Sequence, residues 1–123
     1  MLLLAAASIL CASGCEYANA IRLVPAATRD SLVFVIRSIR EAPTTNAVYG
    51  LSILRCTGEH PMWTIAADGS RTMPDTVVYG RPIPGFSVRS GPEPLVPGCY
   101  TAVISGARPL TFDVTSDGTV RVR

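Results

Sequence analysis

From residue 20 onward, the chain alternates short apolar runs with turn-forming residues. In the run 31–40, Leu32, Phe34 and Ile36 fall on one side of a predicted strand, which is typical of a strand buried on at least one face. Runs rich in Val, Ile, Phe and Thr predict nine candidate strands along the chain. These are 20–25, 31–40, 47–56, 62–67, 76–79, 86–89, 99–105, 110–115 and 119–122.

Turn residues punctuate these runs throughout. Ten glycines and ten prolines occur in 123 residues, which leaves little room for helices. The dipeptides 68–69 and 117–118, both Asp-Gly, predict tight turns, and Gly50 inside the third run predicts a bulge. Short strands joined by such turns predict an all-β sandwich or barrel that occupies residues 20–123.

The first thirteen residues differ from the rest of the chain. They carry no charge and are almost entirely Leu, Ala, Ile and Ser, as in the apolar region of a secretory signal. The segment is too short to span a bilayer as a helix, which needs about 20 residues. A buried N-terminal helix of a cytosolic protein would have a polar face, and this segment has none. The pattern therefore predicts export.

The segment 12–15, A-S-G-C, resembles the lipobox of bacterial lipoproteins. The resemblance implies a signal peptide over 1–14, a diacylglycerol-modified Cys15 as the first mature residue, and a tether over 15–19. Several acyl chains would anchor the protein firmly to a membrane. Glu16 follows the cysteine, and in the family the absence of Asp there implies sorting to the outer membrane of a Gram-negative envelope. No other cofactor or prosthetic group is expected.

A second cleavage pattern lies shortly after the first. Residues 18–20 read A-N-A, which fits the A-x-A site of ordinary signal peptidase. Cleavage after Ala20 would release a soluble periplasmic or secreted protein that begins at Ile21. The two patterns are alternatives, and we expect the lipid-anchored form.

Two cysteines remain after Cys15. Cys56 and Cys99 form an even pair in a chain predicted to be exported, and this predicts a disulfide. In the chain-entropy model, closing a loop of about forty residues stabilises the fold by roughly 4 kcal/mol. Two free buried thiols are the alternative.

The segment 95–100, L-V-P-G-C-Y, resembles the tyrosine corner of Greek-key sandwiches, L-x-P-G-x-Y. The resemblance implies an immunoglobulin-like or fibronectin type III-like domain of about seven to eight strands, in which Tyr100 begins strand F and hydrogen-bonds to the backbone just upstream. An ordinary Pro-Gly turn before a core tyrosine is the alternative. Cys99 and Tyr100 are adjacent, so their side chains point to opposite faces. The resemblance therefore implies a disulfide within one sheet, not the inter-sheet bridge of antibodies.

Charge and chemistry-bearing residues exclude several functions. The formal net charge is +2, and the eleven arginines are dispersed, whereas a nucleic-acid-binding surface would cluster them. His60 is the only histidine, and no metal-binding or nucleophile motif is present. The sequence therefore predicts no catalytic residue, no metal site and no nucleic-acid partner.

One aromatic set is a candidate ligand platform. Trp63, with Tyr49, Tyr79 and Phe86, provides rings that would stack on a sugar or on peptidoglycan, and the alternative is that these rings form the core. The function we expect is a lipid-anchored, non-catalytic interaction or structural module. It would bind an unknown envelope protein through a sheet edge or a loop, with glycan binding as the alternative.

Overall fold

The computed structural model describes residues 18–24, 28–38, 48–58, 60–69 and 71–123. The described residues form nine β-strands and no helix, which confirms the predicted all-β class. The strands are β1 (Asn19–Leu23), β2 (Val33–Ser38), β3 (Gly50–Arg55), β4 (Pro61–Ala67), β5 (Thr76–Val78), β6 (Phe86–Ser90), β7 (Gly98–Ile104), β8 (Leu110–Val114) and β9 (Val120–Val122).

The strands form two antiparallel sheets, consistent with a β-sandwich. One sheet has three strands in the order β1-β2-β5, and the other has six in the order β6-β4-β3-β7-β8-β9. The larger sheet is therefore bounded by β6 at one edge and by β9 at the other. The described strands number nine, which equals the number of candidate runs and exceeds the seven to eight strands that the immunoglobulin-like resemblance implied.

The core lies between the two sheets, because the inward residues of each strand alternate with partly exposed ones. The Phe34 ring of β2 lies 6.1 Å from the Phe112 ring of β8, and Tyr100 of β7 stacks on Phe112 at 5.8 Å. Each of these three side chains is fully buried. Aromatic contacts thus join the smaller sheet to the centre of the larger one.

The first strand begins one residue earlier than predicted. Asn19 is the first residue of β1, pairs with Ser38, and is buried. Its backbone N–H donates to the carbonyl of Gly106 at 2.8 Å, and its side-chain Nδ2 donates to the carbonyl of Ser105 at 3.3 Å. Asn19 therefore belongs to the folded domain and not to the predicted tether.

The predicted bulge at Gly50 is wrong. Gly50 begins β3 and pairs regularly with Ala66, while the ladder of β3 and β4 shifts register between Ile53 and Leu54. The glycine is explained by a close approach instead, since a Cβ at position 50 would lie 3.0 Å from the carbonyl oxygen of Ile65.

Several predictions fall outside the described residues. They concern the leader 1–14, the lipidation site Cys15, most of the tether 15–19, and the start of the third predicted strand at Ala47.

Candidate functional site

Cys56 and Cys99 lie within disulfide-bonding distance, with their Cα atoms 5.4 Å apart. Cys56 directly follows β3, Cys99 lies in β7, and these strands are antiparallel neighbours in the larger sheet. The backbone N–H of Cys56 also donates to the carbonyl of Cys99 at 3.0 Å. The pair therefore joins two strands of one sheet. It lies on the face opposite Tyr100, which is buried.

Tyr100 fixes the segment that leads into β7. Its hydroxyl donates to the backbone carbonyl of Val96 at 2.5 Å, which is the upstream hydrogen bond that the L-x-P-G-x-Y resemblance implied. Leu95 in the same segment is buried. The disulfide and this hydrogen bond thus act on neighbouring residues, one on each face of the sheet.

A second tyrosine contacts the beginning of residues 91–97, the crossover that connects β6 to β7. Tyr79 donates its hydroxyl to the carbonyl of Glu93 at 2.6 Å, and the backbone N–H of Glu93 donates to the carbonyl of Met62 at 2.9 Å. The exposed His60 Nε2 lies 3.1 Å from Glu93 Oε2. The crossover 91–97 is therefore attached near both of its ends.

Trp63 is not a surface platform. Its side chain is 0% exposed in the core, and its ring lies 5.2 Å from that of Tyr79 in an edge-on arrangement. Phe86 is half-buried against the core as well, and only Tyr49 of the proposed set is exposed. For Trp63 the structure shows the alternative stated for these rings, burial in the core, because the face of β4 that carries it is the buried one.

The edge strand β6 carries an exposed apolar residue on the inner face of its sheet. Val88 lies opposite Ile65 of β4, and residues directly opposite in a ladder point to the same face. Ile65 is buried, whereas Val88 is 51% exposed. The described residues thus leave the inner face of β6 partly uncovered.

The backbone of Val88 also faces away from β4. Asp68 N–H donates to the carbonyl of Gly85, so these two residues form a hydrogen-bonded pair of the antiparallel ladder. Hydrogen-bonded and non-hydrogen-bonded pairs alternate along an antiparallel ladder. Ala66–Ser87 is therefore the next hydrogen-bonded pair, and Ile65–Val88 follows it as a non-hydrogen-bonded pair. Val88 therefore falls in a non-hydrogen-bonded pair, and its N–H and C=O point to the free edge.

A groove of about 600 Å³ opens at the beginning of β6. Its apolar wall includes Met73, Ile83 and Phe86, and Arg71 lies at the same groove. Residues 71–74 follow β4, while Ile83 and Pro84 precede β6, so the groove lies between the loops at one end of these two paired strands. The groove therefore offers an apolar surface and, beside it, the positive charge of the Arg71 guanidinium.

Gly85 gives Arg71 its position. A Cβ at position 85 would lie 2.1 Å from Arg71 Cδ and 2.8 Å from its Nε, so the arginine side chain lies directly against the Gly85 backbone. The φ angle of Gly85 is +83°, which side chains rarely adopt. In the part of the chain that the structure describes, no carboxylate forms an ion pair with Arg71.

Sequence reasoning missed Arg71 and Val88 as binding candidates. One signal was available, because the short run 86–89 stands between proline-rich segments, and proline is excluded from the interior of central strands. The arrangement at β6 offers unpaired backbone groups, an apolar strip and one cation. Unpaired backbone groups at a sheet edge are of the kind that hydrogen-bond to an added extended strand.

The described ranges contain neither a metal-binding cluster nor a membrane-spanning helix. No group of three or more His, Cys, Asp or Glu there is placed to hold a metal ion. No helix within the same ranges is long and apolar enough to cross a membrane.

No protein-family model matches this chain, and neither a curated protein nor a solved structure matches it.

Proposed function

We propose that this protein is a lipid-anchored module of the bacterial cell envelope that binds an extended peptide segment at the free edge of β6. The peptide adds as a further strand of the six-stranded sheet, and its alternate side chains cover the exposed Val88. The module performs no catalysis. The observation that carries this proposal is that Val88 is 51% exposed on the inner face of its sheet while its backbone groups point to the free edge.

The proposal includes an immunoglobulin-like Greek-key type for the sandwich. The orders β1-β2-β5 and β4-β3-β7-β8 correspond to strands A-B-E and C′-C-F-G of such domains. The hydrogen bond from Tyr100 to Val96, at the start of the strand that corresponds to F, supports the same assignment. In this scheme β6 and β9 extend the larger sheet at its edges.

The lipid anchor at Cys15 is supported by the lipobox-like segment 12–15 and by the position of Asn19. Cleavage after Ala20 would remove Asn19, whose backbone and side chain both hydrogen-bond to the turn after β7. Cleavage before Cys15 leaves β1 intact. We therefore propose the anchored form, with Glu16 favouring the outer membrane in a Gram-negative envelope.

The other edge of the sheet is a weaker candidate, although Val122 of β9 is exposed to a similar degree, 53%. The strand β9 has three residues, whereas β6 has five and lies beside the groove. Five residues of strand span about 17 Å, which matches a peptide of five or six residues. Because Val122 is similarly exposed but lies on a shorter strand away from the groove, it is a suitable control position.

The test uses full-length protein in detergent micelles and a pool of hexapeptides randomised at each position. Enriched peptides are titrated by fluorescence anisotropy against the wild type, Val88→Pro and Val122→Pro. Both prolines remove an N–H that points away from the neighbouring strand, because Arg123 N–H donates to Thr111 and thereby places Val122 in a non-hydrogen-bonded pair.

We expect Val88→Pro to weaken binding at least tenfold, which corresponds to about 1.4 kcal/mol. The Val122→Pro control should bind as the wild type does, and thermal melting checks that both variants fold. Binding that survives Val88→Pro, or that is lost equally in both variants, contradicts the site. The absence of any enriched peptide contradicts peptide binding itself.

A further inference from the structure

We propose that the peptide bound at β6 runs antiparallel to this strand and ends there, with its C-terminal carboxylate against Arg71 and its last side chain in the groove. This inference rests on the peptide-binding function proposed above and adds the direction and the end group of the ligand. It assigns a role to Arg71, Gly85 and the groove at the beginning of β6.

The direction follows from the position of Arg71 along the strand. Arg71 lies against Gly85, and Gly85 immediately precedes Phe86, the first residue of β6. A strand antiparallel to β6 reaches this point with its C-terminus, whereas a parallel strand would reach it with its N-terminus. A guanidinium attracts the carboxylate of the first and repels the ammonium of the second. Every ladder of the larger sheet is also antiparallel.

The charge of Arg71 is available to a ligand. The side chain is exposed, and no described carboxylate pairs with it. Asp68, the acidic residue that follows β4, accepts a hydrogen bond from the Ser87 hydroxyl at 2.5 Å. Ser87 alternates with Phe86 and Val88 along β6, so this carboxylate is engaged from the outer face of the sheet.

The groove would hold the side chain of the peptide's C-terminal residue. Met73, Ile83 and Phe86 supply an apolar surface beside the guanidinium. A large aliphatic or aromatic side chain would bury apolar surface there, and removal of that surface from water favours binding. We therefore expect peptides that end in Leu, Ile or Phe to bind best.

The free edge of β6 favours a peptide over a fatty acid, which would offer the same pairing of a carboxylate with an apolar tail. An acyl chain has no groups that hydrogen-bond to the N–H and C=O of Val88, whereas a peptide backbone satisfies both. The ligand to which we commit is therefore the C-terminal segment of a protein or peptide.

The test compares two forms of one peptide, selected from the randomised pool and ending in Leu. One form has a free carboxylate and the other an amide at its C-terminus. Both are titrated by anisotropy against full-length wild type, Arg71→Gln, Gly85→Ala and the control Arg108→Gln, which alters an arginine outside the groove. Free decanoate is titrated as the acyl-chain arm.

We expect the wild type and the control to bind the carboxylate form about tenfold more tightly than the amide, which is the effect of a charge-assisted hydrogen bond of moderate strength. In Arg71→Gln this ratio should fall to about one while the affinity for the amide stays unchanged. Gly85→Ala should lower the ratio as well, because its Cβ would displace the arginine.

Each remaining outcome is informative. If both peptide forms bind the wild type equally, the C-terminal assignment is wrong and binding at β6 stands. If neither form binds, the peptide-binding function itself is wrong. Displacement of the peptide by decanoate at a comparable affinity would contradict the commitment to a peptide C-terminus.

Discussion

The hydroxyl of Tyr79 donates to the backbone carbonyl of Glu93 at 2.6 Å. Tyr100 makes the same kind of bond to Val96, three residues further along the same proline-rich crossover. Tyr79, which directly follows β5, and Tyr100, which lies in β7, thus attach one loop by hydroxyl-to-carbonyl hydrogen bonds. The crossover leads from β6 into β7, so these bonds hold the far end of the edge strand on which the proposed ligand lies.

Replacing Tyr79 by Phe tests the first of these attachments. The change removes the bond to Glu93 and leaves that carbonyl without the tyrosine donor, while the ring contact with Trp63 is kept. We expect the free energy of unfolding to fall by about 1 kcal/mol, the usual net contribution of a hydrogen bond. Urea denaturation followed by tryptophan fluorescence measures it, and an unchanged midpoint would contradict the attachment.

Tyr79 should also make stability depend on alkaline pH. Burial raises its pKa from 10.0 to about 12, with the nearby Tyr100 as a second cause. Above pH 10 the unfolded chain releases this proton while the folded chain retains it, so stability is complete below pH 10 and is lost as the pH rises towards 12. Denaturation between pH 9 and pH 11.5 should show a shallower loss in Tyr79→Phe than in the wild type.

Replacing Tyr100 by Phe tests the second attachment. Tyr100 is fully buried and stacks on Phe112, so the substitution keeps the packing and removes only the hydroxyl. The Val96 carbonyl loses its donor, and we expect a destabilisation of about 1 to 2 kcal/mol. Comparison of the Tyr79→Phe, Tyr100→Phe and double variants in urea measures how far the two bonds act together, because both hold one loop.

The strand pattern was predictable because it is local. Alternation along Leu32, Phe34 and Ile36 depends on which residues face the core, and all three are buried as expected. Each of the nine candidate runs corresponds to one of the nine described strands, and their ends agree within a few residues. Strand ends depend on where the partner strand ends, and the boundary at Asn19 is an example.

Other features depend on the partner strand and were not predictable from local pattern. Trp63 and Val88 both occupy inward positions on strands, yet one is fully buried and the other is half exposed. The difference arises because β4 lies inside the sheet and β6 lies at its edge. The register shift between Ile53 and Leu54 is likewise a property of the β3–β4 pair, and no residue type marks it.

The disulfide should contribute more stability than either tyrosine hydroxyl. Cys56 and Cys99 are 43 residues apart in sequence, and the chain-entropy model then gives a stabilisation of about 4 kcal/mol. We expect reduction of the wild type, or the double substitution to Ser, to lower the free energy of unfolding by this order. Reductant added to the double Ser variant is the control and should have no effect. Equal stability of the oxidised and reduced wild type would contradict the expected stabilisation by the disulfide.

The lipid anchor is tested by the mass of the protein extracted from membranes of a bacterial host. We expect a mature chain that begins at Cys15 and carries acyl groups, and Cys15→Ala should abolish both the processing and the membrane association. Ala20→Glu is the matched control, because it destroys the alternative A-N-A site at an exposed position of β1 that pairs with Arg37. It should leave the mass of the lipidated N-terminus unchanged apart from the substitution. A wild-type chain that begins at Ile21 would contradict the anchor, and it would also mean that the fold tolerates the loss of the hydrogen bonds of Asn19 to Gly106 and Ser105.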